Sequence, residues 1–181
     1  MMEKYRELLF LARAAIEAYI TCREVDVPED VKEKYGEIGA CFVTLTERED
    51  LRGCIGSLEA RQALYQDVID NAVNAGFKDY RFDPLDEEEL RGIKIEVSVL
   101  SKSSKLEFDG WKDLLAKIDD KMGIVLKCGG RSATFLPQVW EQIPDKEIFL
   151  EELCMKAGLD GDSWKDEDCE IEFYRVEKVS E

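Results

Sequence analysis

The chain has 181 residues and 45% apolar content, which is enough to fill one sizeable core or two smaller ones. Its 41 acidic residues outnumber its 25 basic residues, giving a formal net charge of −16. This charge disfavours general binding to nucleic-acid phosphates or to anionic lipid. Histidine is absent, which removes the commonest general base and the commonest transition-metal ligand.

The cysteines indicate no metal site and no redox motif. The chain has six of them, and no two form a C-x-x-C pair, which argues against a zinc ribbon, an iron–sulfur site or a thioredoxin motif. We expect reduced thiols, most of them buried. The sequence has no N-terminal signal pattern and no run of about 20 apolar residues. It therefore predicts a soluble, cytoplasmic protein with no membrane partner, and it identifies no cofactor.

The first half of the chain predicts a helix, a hairpin, a second helix and a strand. Apolar residues recur at helical spacing in the two helices and alternate with polar residues in the last strand. The predicted elements are a helix over residues 3–22, strands over 39–45 and 51–58 joined by a turn at 47–50, a helix over about 60–77 and a strand over 93–100. Residues 29–38, which are rich in charge, are predicted to form a solvated connection.

The second half predicts a similar order of elements. Gly129 and Gly130 suit a tight hairpin turn, because glycine accepts the positive φ angles that such turns require. The predicted elements are a short helix over residues 111–118, strands over 123–128 and 131–136, a helical turn over 137–142, a helix over 146–157, a solvated acidic loop over 160–167 and a strand over 170–176.

The order hairpin, helix, strand thus occurs twice, over about residues 39–100 and 123–176. We infer a duplicated β-β-α-β unit. Because hairpins impose antiparallel pairing, the predicted class is α+β, with antiparallel sheets and flanking helices. We expect one domain over residues 1–181, with two unequal subdomains of about 1–105 and 106–181. A discontinuous boundary between them is left open.

The hexapeptide Leu-Arg-Gly-Cys-Ile-Gly, residues 51–56, combines chemistry with backbone constraint. In an extended strand, Arg52 and Cys54 point to the same face, and the two apolar side chains point to the other. Gly53 and Gly56 permit the close approach of another backbone or of a ligand. A cation beside a thiol favours the nucleophilic thiolate.

Two interpretations stay open for each polar residue of the hexapeptide. Cys54 is either a buried, inert thiol or a nucleophile whose base is not histidine. Arg52 either pairs with a carboxylate across the sheet, with Glu96 as the candidate, or holds a carboxylate or phosphate of a ligand in its planar fork.

A second group of residues follows the helix predicted at 60–77. Asp79, Arg81, Phe82 and Pro84 lie in one loop. Such a loop is often pinned to the core by its aromatic and proline residues. The alternative is that Asp79 and Arg81 line the same cleft as Cys54, since the preceding helix returns the chain toward the sheet.

Six segments in chain order resemble the AMMECR domain family. They are residues 39–45, 51–56, 79–82 with Pro84, 96–100, 133–139 and 153–159. The resemblance implies an α+β domain of two unequal subdomains, in which the hexapeptide is the hallmark of the family. It also implies Memo-like and radical S-adenosylmethionine proteins as partners, since relatives are encoded near them or fused with them. This chain lacks a C-x-x-x-C-x-x-C motif, so radical chemistry would belong to such a partner.

Two functions follow as hypotheses. The first is an enzyme component or binding protein for a small anionic molecule, in a cleft beside residues 51–56, with Cys54 as nucleophile or covalent carrier. The predicted ligand-binding residues are Arg52, Gly53, Gly56, Asp79, Arg81 and Glu96. The second is a non-catalytic adaptor or regulatory module for a protein partner.

Overall fold

The computed structural model describes residues 4–181, which form two compact units. The first unit runs to Leu100 and includes residues 177–181, and the second comprises residues 101–176. Each unit combines antiparallel strands with helices, so the predicted α+β class is confirmed. The first of these ranges ends at Leu100, and the prediction placed the boundary at about residue 105. The last residues belong to the first unit, where the amide of Glu181 donates to the carbonyl of Ile95.

Among its described residues, the first unit contains three α-helices and four strands, together with the end of a strand that begins in the second unit. The elements are α1 (Arg6–Ile20), α2 (Glu29–Lys34), β1 (Ile38–Glu47), β2 (Asp50–Gly56), β3 (Gln62–Ala63), α3 (Leu64–Phe77), β4 (Ile93–Leu100) and the final residues of β8 (Glu170–Ser180). A short 3₁₀ helix, Glu89–Arg91, precedes β4.

Strand β1 lies at the centre of the first unit's sheet. It pairs antiparallel with β2 on one side and with β4 on the other, and β2 is the outermost strand. Val43, Leu45 and Val97 are fully buried against α1 and α3, which cover one face of the sheet. The opposite face carries the polar residues of the same strands.

The first unit differs from the prediction in α2 and in the start of α3, which lies at Leu64 and not near residue 60 because residues 62–63 form β3. Residues 29–34 form α2 instead of a solvated connection, because Val31 and Tyr35, one helical turn apart, are both buried in the core. The predicted start of the first helix at Glu3 lies outside the described residues, and α1 begins at Arg6.

The second unit repeats the order strand, strand, helix, strand. Its elements are β5 (Ser104–Lys105), α4 (Gly110–Lys117), β6 (Met122–Cys128), β7 (Arg131–Phe135), α5 (Lys146–Lys156) and the first part of β8. Strand β6 pairs antiparallel with β7 and with β8, as β1 pairs with β2 and β4 in the first unit. Fully buried side chains of the core include Ile124, Phe149 and Leu153.

Two expectations for the second unit are wrong. Cys128 and Cys169 form a disulfide, so only four of the six cysteines are free thiols: Cys22, Cys41, Cys54 and Cys154. The acidic segment 160–167 is not simply a solvated connection. It contains a short 3₁₀ helix, Ser163–Lys165, whose Trp164 is buried in the core.

Within residues 4–181, no helix is long and apolar enough to span a membrane. The same residues contain no group of three or more Cys, Asp or Glu side chains arranged to hold a metal ion.

Candidate functional site

A β-bulge at Arg52 changes how the hexapeptide presents its side chains. Gly53 pairs with Leu45 and Leu51 pairs with Thr46, so Arg52 is the extra residue between two consecutive partners on β1. Leu51 therefore lies on the opposite face from Ile55, and the residue is 43% exposed. The expected alternation, with Leu51 and Ile55 on one face, is wrong because the bulge shifts it by one residue.

Arg52 is held by Glu89 rather than by Glu96. Nε donates to Oε1 at 2.7 Å and Nη2 donates to Oε2 at 2.9 Å, forming a two-point ion pair. Nη2 also donates to the carbonyl of Asp83 at 2.9 Å. The third nitrogen, Nη1, is buried without a hydrogen-bond partner among the described residues. The Arg52 side chain is only 13% exposed, so both N–H groups of this buried nitrogen lack an acceptor among the described residues.

Asp79 ties the loop that follows α3 to strand β2. Its buried carboxylate accepts a hydrogen bond from the amide of Cys54 at 2.9 Å, through Oδ2. It also accepts two hydrogen bonds from the guanidinium of Arg81, at 2.9 and 2.7 Å. Arg81 Nη2 in turn donates to the carbonyl of Cys54 at 3.3 Å. The pair of side chains thus occupies both main-chain polar groups of Cys54.

These ion pairs shift the acid–base equilibria of the carboxylates. Hydrogen bonds from Arg81 are the main reason that the pKa of Asp79 lies well below its usual range. Hydrogen bonds from Arg52 likewise lower the pKa of Glu89. Both guanidinium pKa values are raised in return. All four groups are therefore ionised at neutral pH, and each cation is balanced by one anion.

The ring of Phe82 links the two arginines. The guanidinium carbon of Arg52 lies 5.9 Å from the ring centroid, and that of Arg81 lies 5.5 Å from it. Both distances are within the range of a cation–π contact. Arg81 is the more accessible of the two, since its side chain is 45% exposed. Asp79 and Arg81 thus contact the backbone of Cys54, and Phe82 brings Arg52 into the same region. A cleft lined by these residues remains a prediction.

Cys54 belongs to a row of side chains on the polar face of the sheet. It pairs with Thr44, which pairs in turn with Glu96 on β4. The thiol is half-buried, and its Sγ lies 3.3 Å from the hydroxyl oxygen of Thr44, within hydrogen-bond distance. The carboxylate of Glu96 contacts Lys178, at 3.2 Å, rather than Arg52. Glu96 is therefore on the same face as Cys54 but has a cationic partner of its own.

The two glycines of the hexapeptide are needed for packing within the protein. A Cβ atom at Gly53 would lie 2.1 Å from the carbonyl oxygen of Ala75, on α3. A Cβ atom at Gly56 would lie 2.2 Å from the ring of Phe42. The close approach predicted for these positions is present, and the neighbour is the protein itself. Their part in ligand binding remains a prediction.

A second polar cluster lies at the other end of α3, and the sequence prediction did not include it. The carboxylate of Asp67 is buried and accepts hydrogen bonds from the Cys41 amide, the Ser57 hydroxyl and the Asn71 side chain, at 2.8–2.9 Å. Asp67 and Asn71 lie on the core-facing side of α3, where polar residues are unusual. Two polar residues at core-facing positions of a predicted helix were the feature of the sequence that could have indicated this cluster. Burial raises the pKa of the Cys41 thiol, so this thiol is protonated at neutral pH.

Comparisons with known proteins agree with this fold. The AMMECR1 family matches residues 9–179. A Methanopyrus kandleri protein is 37% identical over 99% of this chain and 89% of its own length. A Nanoarchaeum equitans protein is 37% identical over 91% of this chain and 93% of its own. The crystal structure of an uncharacterized protein from Pyrococcus horikoshii covers all of this chain and 93% of its own, with 33% identity and a TM-score of 0.80. On these matches, the chain belongs to the AMMECR1 family.

Proposed function

We propose that the protein binds a small anionic molecule, a carboxylate or a phosphate, beside Cys54, with Arg52 and Arg81 as its cationic contacts. The observation that carries this proposal is the unused donor of Arg52. Its Nη1 is buried and makes no hydrogen bond within the described residues. A buried charged donor without an acceptor costs free energy. An oxygen of a bound anion supplies that acceptor.

The neighbouring groups favour recognition by geometry rather than by net charge. Glu89 and Asp79 neutralise the two arginines and also fix the planes of their guanidinium groups. Directed N–H donors then select planar or tetrahedral oxyanions. Because the local charge is balanced, we expect modest affinity that depends little on long-range attraction.

The surroundings of Cys54 favour non-covalent binding of the anion over a role of the thiol as a nucleophile. The side-chain neighbour within hydrogen-bond distance of its Sγ is the neutral hydroxyl of Thr44. The nearby carboxylate of Asp79 is already engaged by the Cys54 amide and by Arg81. A nucleophilic thiol requires a base or a cation that stabilises the thiolate. Neither neighbour provides a free base, and the nearby cation of Arg81 is already paired with Asp79.

Titration with inorganic phosphate tests the proposal. We expect saturable shifts of the Nε–Hε NMR signals of Arg52 and Arg81. Arg81→Gln removes charge-assisted donors and should weaken phosphate binding about ten-fold. The matched control is Arg175→Gln, because Arg175 is also paired with a carboxylate and has a 46% exposed side chain. Equal effects of the two substitutions, or shifts that do not saturate, would contradict the proposal.

A second candidate function, an adaptor for a protein partner, is favoured by Tyr80. This residue is 96% exposed, although both of its neighbours, Asp79 and Arg81, are fixed to strand β2. Exposed aromatic residues on an ordered backbone are frequent anchors of protein interfaces. Memo-like and radical S-adenosylmethionine proteins are the partners that we propose for this role.

Calorimetric titration with each of these two purified proteins tests the adaptor function. Tyr80→Ala should weaken binding at least about 30-fold if the ring is a central anchor. Phe10→Ala is the control, since Phe10 is another exposed aromatic residue of the same unit. Absence of binding to both proteins, or equal loss with the two variants, would remove this candidate.

A further inference from the structure

A cavity of about 470 Å³ opens on the first unit, immediately after the hexapeptide. It is lined by Ser57, Leu58, Glu59, Arg61, Gln62 and Asp67. Its volume falls within the range of about 300–1,000 Å³ that is usual for small-molecule sites. None of these residues belongs to the group around Cys54, so the cavity is a separate feature of the same unit.

The floor of the cavity is a fixed hydrogen-bond network. Asp67, which is 3% exposed, accepts from the hydroxyl of Ser57 at 2.8 Å and from Nε2 of Gln62 at 3.3 Å, both through Oδ1. Its other oxygen accepts from the Cys41 amide and from Asn71, each at 2.9 Å. These bonds hold the side chains of Ser57 and Gln62 in place and require no movement when a ligand enters.

Two side chains at the cavity, Gln62 and Glu59, keep a hydrogen-bond acceptor open. Nε2 of Gln62 donates to Asp67 and to Asp70, which leaves the amide oxygen of Gln62 as its open atom. At the rim, Glu59 accepts both of its bonds from Arg61 through Oε2. Two carboxylates, of Glu59 and Asp67, therefore line the cavity, against the cation Arg61, and a third, of Asp70, holds the side chain of Gln62. The ligand of the cavity should be a hydrogen-bond donor with a positive charge.

We propose that this cavity binds a small molecule with a primary ammonium group on a short alkyl chain. An ammonium group has three donors and no acceptor, which matches the acceptors of Gln62 and Glu59. Leu58 offers an apolar surface to the alkyl chain. Arg61 acts as an internal competitor, because its guanidinium occupies the rim carboxylate that the ligand would use.

Butylamine and 1-butanol form a matched pair of probes. Butylamine is protonated at pH 7, whereas 1-butanol has a similar shape without the charge. We expect butylamine to cause saturable NMR shifts in the amides of residues 57–62, and 1-butanol to cause none that saturate. Equal binding of the two probes would show a merely apolar cavity and would overturn the proposal.

Two rim variants give opposite expected effects. Arg61→Gln removes the competitor and should tighten butylamine binding about two- to five-fold, the usual scale of an exposed ion pair. Glu59→Gln removes an acceptor and a charge and should weaken it by a similar factor. Both side chains are largely exposed, so neither change is expected to prevent folding.

The control is Lys32→Gln, which disrupts the exposed pair of Lys32 with Glu29 in the same unit. It should leave butylamine binding unchanged, whereas general attraction to the acidic protein would increase equally in Lys32→Gln and Arg61→Gln. The proposal would be contradicted if both substitutions increased butylamine binding equally, or if Arg61→Gln did not bind butylamine more tightly than wild type. Phosphate binding beside Cys54 is measured separately, so failure of either site is distinguishable from failure of the other.

Discussion

Asp79→Asn is expected to lower the free energy of unfolding at pH 7 by about 2–4 kcal/mol. The carboxylate is buried and serves two partners at once, the amide of Cys54 and the guanidinium of Arg81. A neutral amide loses the charge-assisted bonds, and its NH₂ group cannot accept from Arg81. Urea denaturation, followed by tryptophan fluorescence and circular dichroism, measures the loss.

The pH dependence of this loss has a defined sign. The pKa of Asp79 is depressed in the folded protein, mainly by hydrogen bonds from Arg81. Ionised Asp79 thus contributes fully to stability above about pH 3.9, the usual pKa of Asp in an unfolded chain. The contribution decreases as the pH falls toward the lower pKa that Asp79 has in the folded protein. The difference between wild type and Asp79→Asn should therefore shrink by about 1 kcal/mol between pH 7 and pH 3.

Asp83→Asn is the control for this experiment, because Asp83 is an exposed carboxylate in the same loop. Its substitution should change the free energy of unfolding by no more than about 0.5 kcal/mol at either pH. A constant difference between wild type and Asp79→Asn across the pH range would show that folding does not shift the pKa of Asp79, and would contradict the prediction.

Gly53→Ala is expected to destabilise the first unit by about 3 kcal/mol. The new Cβ atom would lie 2.1 Å from the carbonyl oxygen of Ala75, so strand β2 and helix α3 must move apart. Because the obstacle is a backbone atom, no side-chain rotation relieves the contact. Thermal and urea unfolding of the variant measure the effect.

Gly92→Ala is the matched control for Gly53→Ala. A Cβ atom at Gly92 meets its nearest neighbour at 3.5 Å, an ordinary contact, and the residue has right-handed helical φ and ψ angles. Alanine there should raise the free energy of unfolding by about 0.4–1 kcal/mol, since it restricts the unfolded chain. Equal stability of the two variants would contradict the close packing of β2 on α3.

Much of the fold is encoded in local patterns that the sequence displays. Strand β4 has the predicted bounds of residues 93–100, because β-branched residues alternate with polar ones along it. The expected order of strand, strand, helix and strand is likewise present in both units. Helix α2 escaped prediction because only two apolar residues, Val31 and Tyr35, anchor a highly charged segment.

The candidate site was predictable in its members but not in its pairings. Asp79 and Arg81 are close in sequence, and their loop leads directly from α3 toward Cys54. Arg52, in contrast, pairs with Glu89, 37 residues further along the chain. The bulge at Arg52 is also determined by pairing with β1, and the sequence of β2 alone does not reveal it. Contacts between residues that are far apart in the chain leave no recognisable pattern in the local sequence.

The contacts of Asp79 and Arg81 also limit how other chains can approach strand β2. As the outermost strand of its sheet, β2 would ordinarily offer free main-chain groups to a further strand. At Cys54 both of these groups are already occupied by side chains of the same molecule. Edge-to-edge aggregation and β-strand addition are therefore blocked at this point. A protein that binds here must recognise side chains instead of extending the sheet.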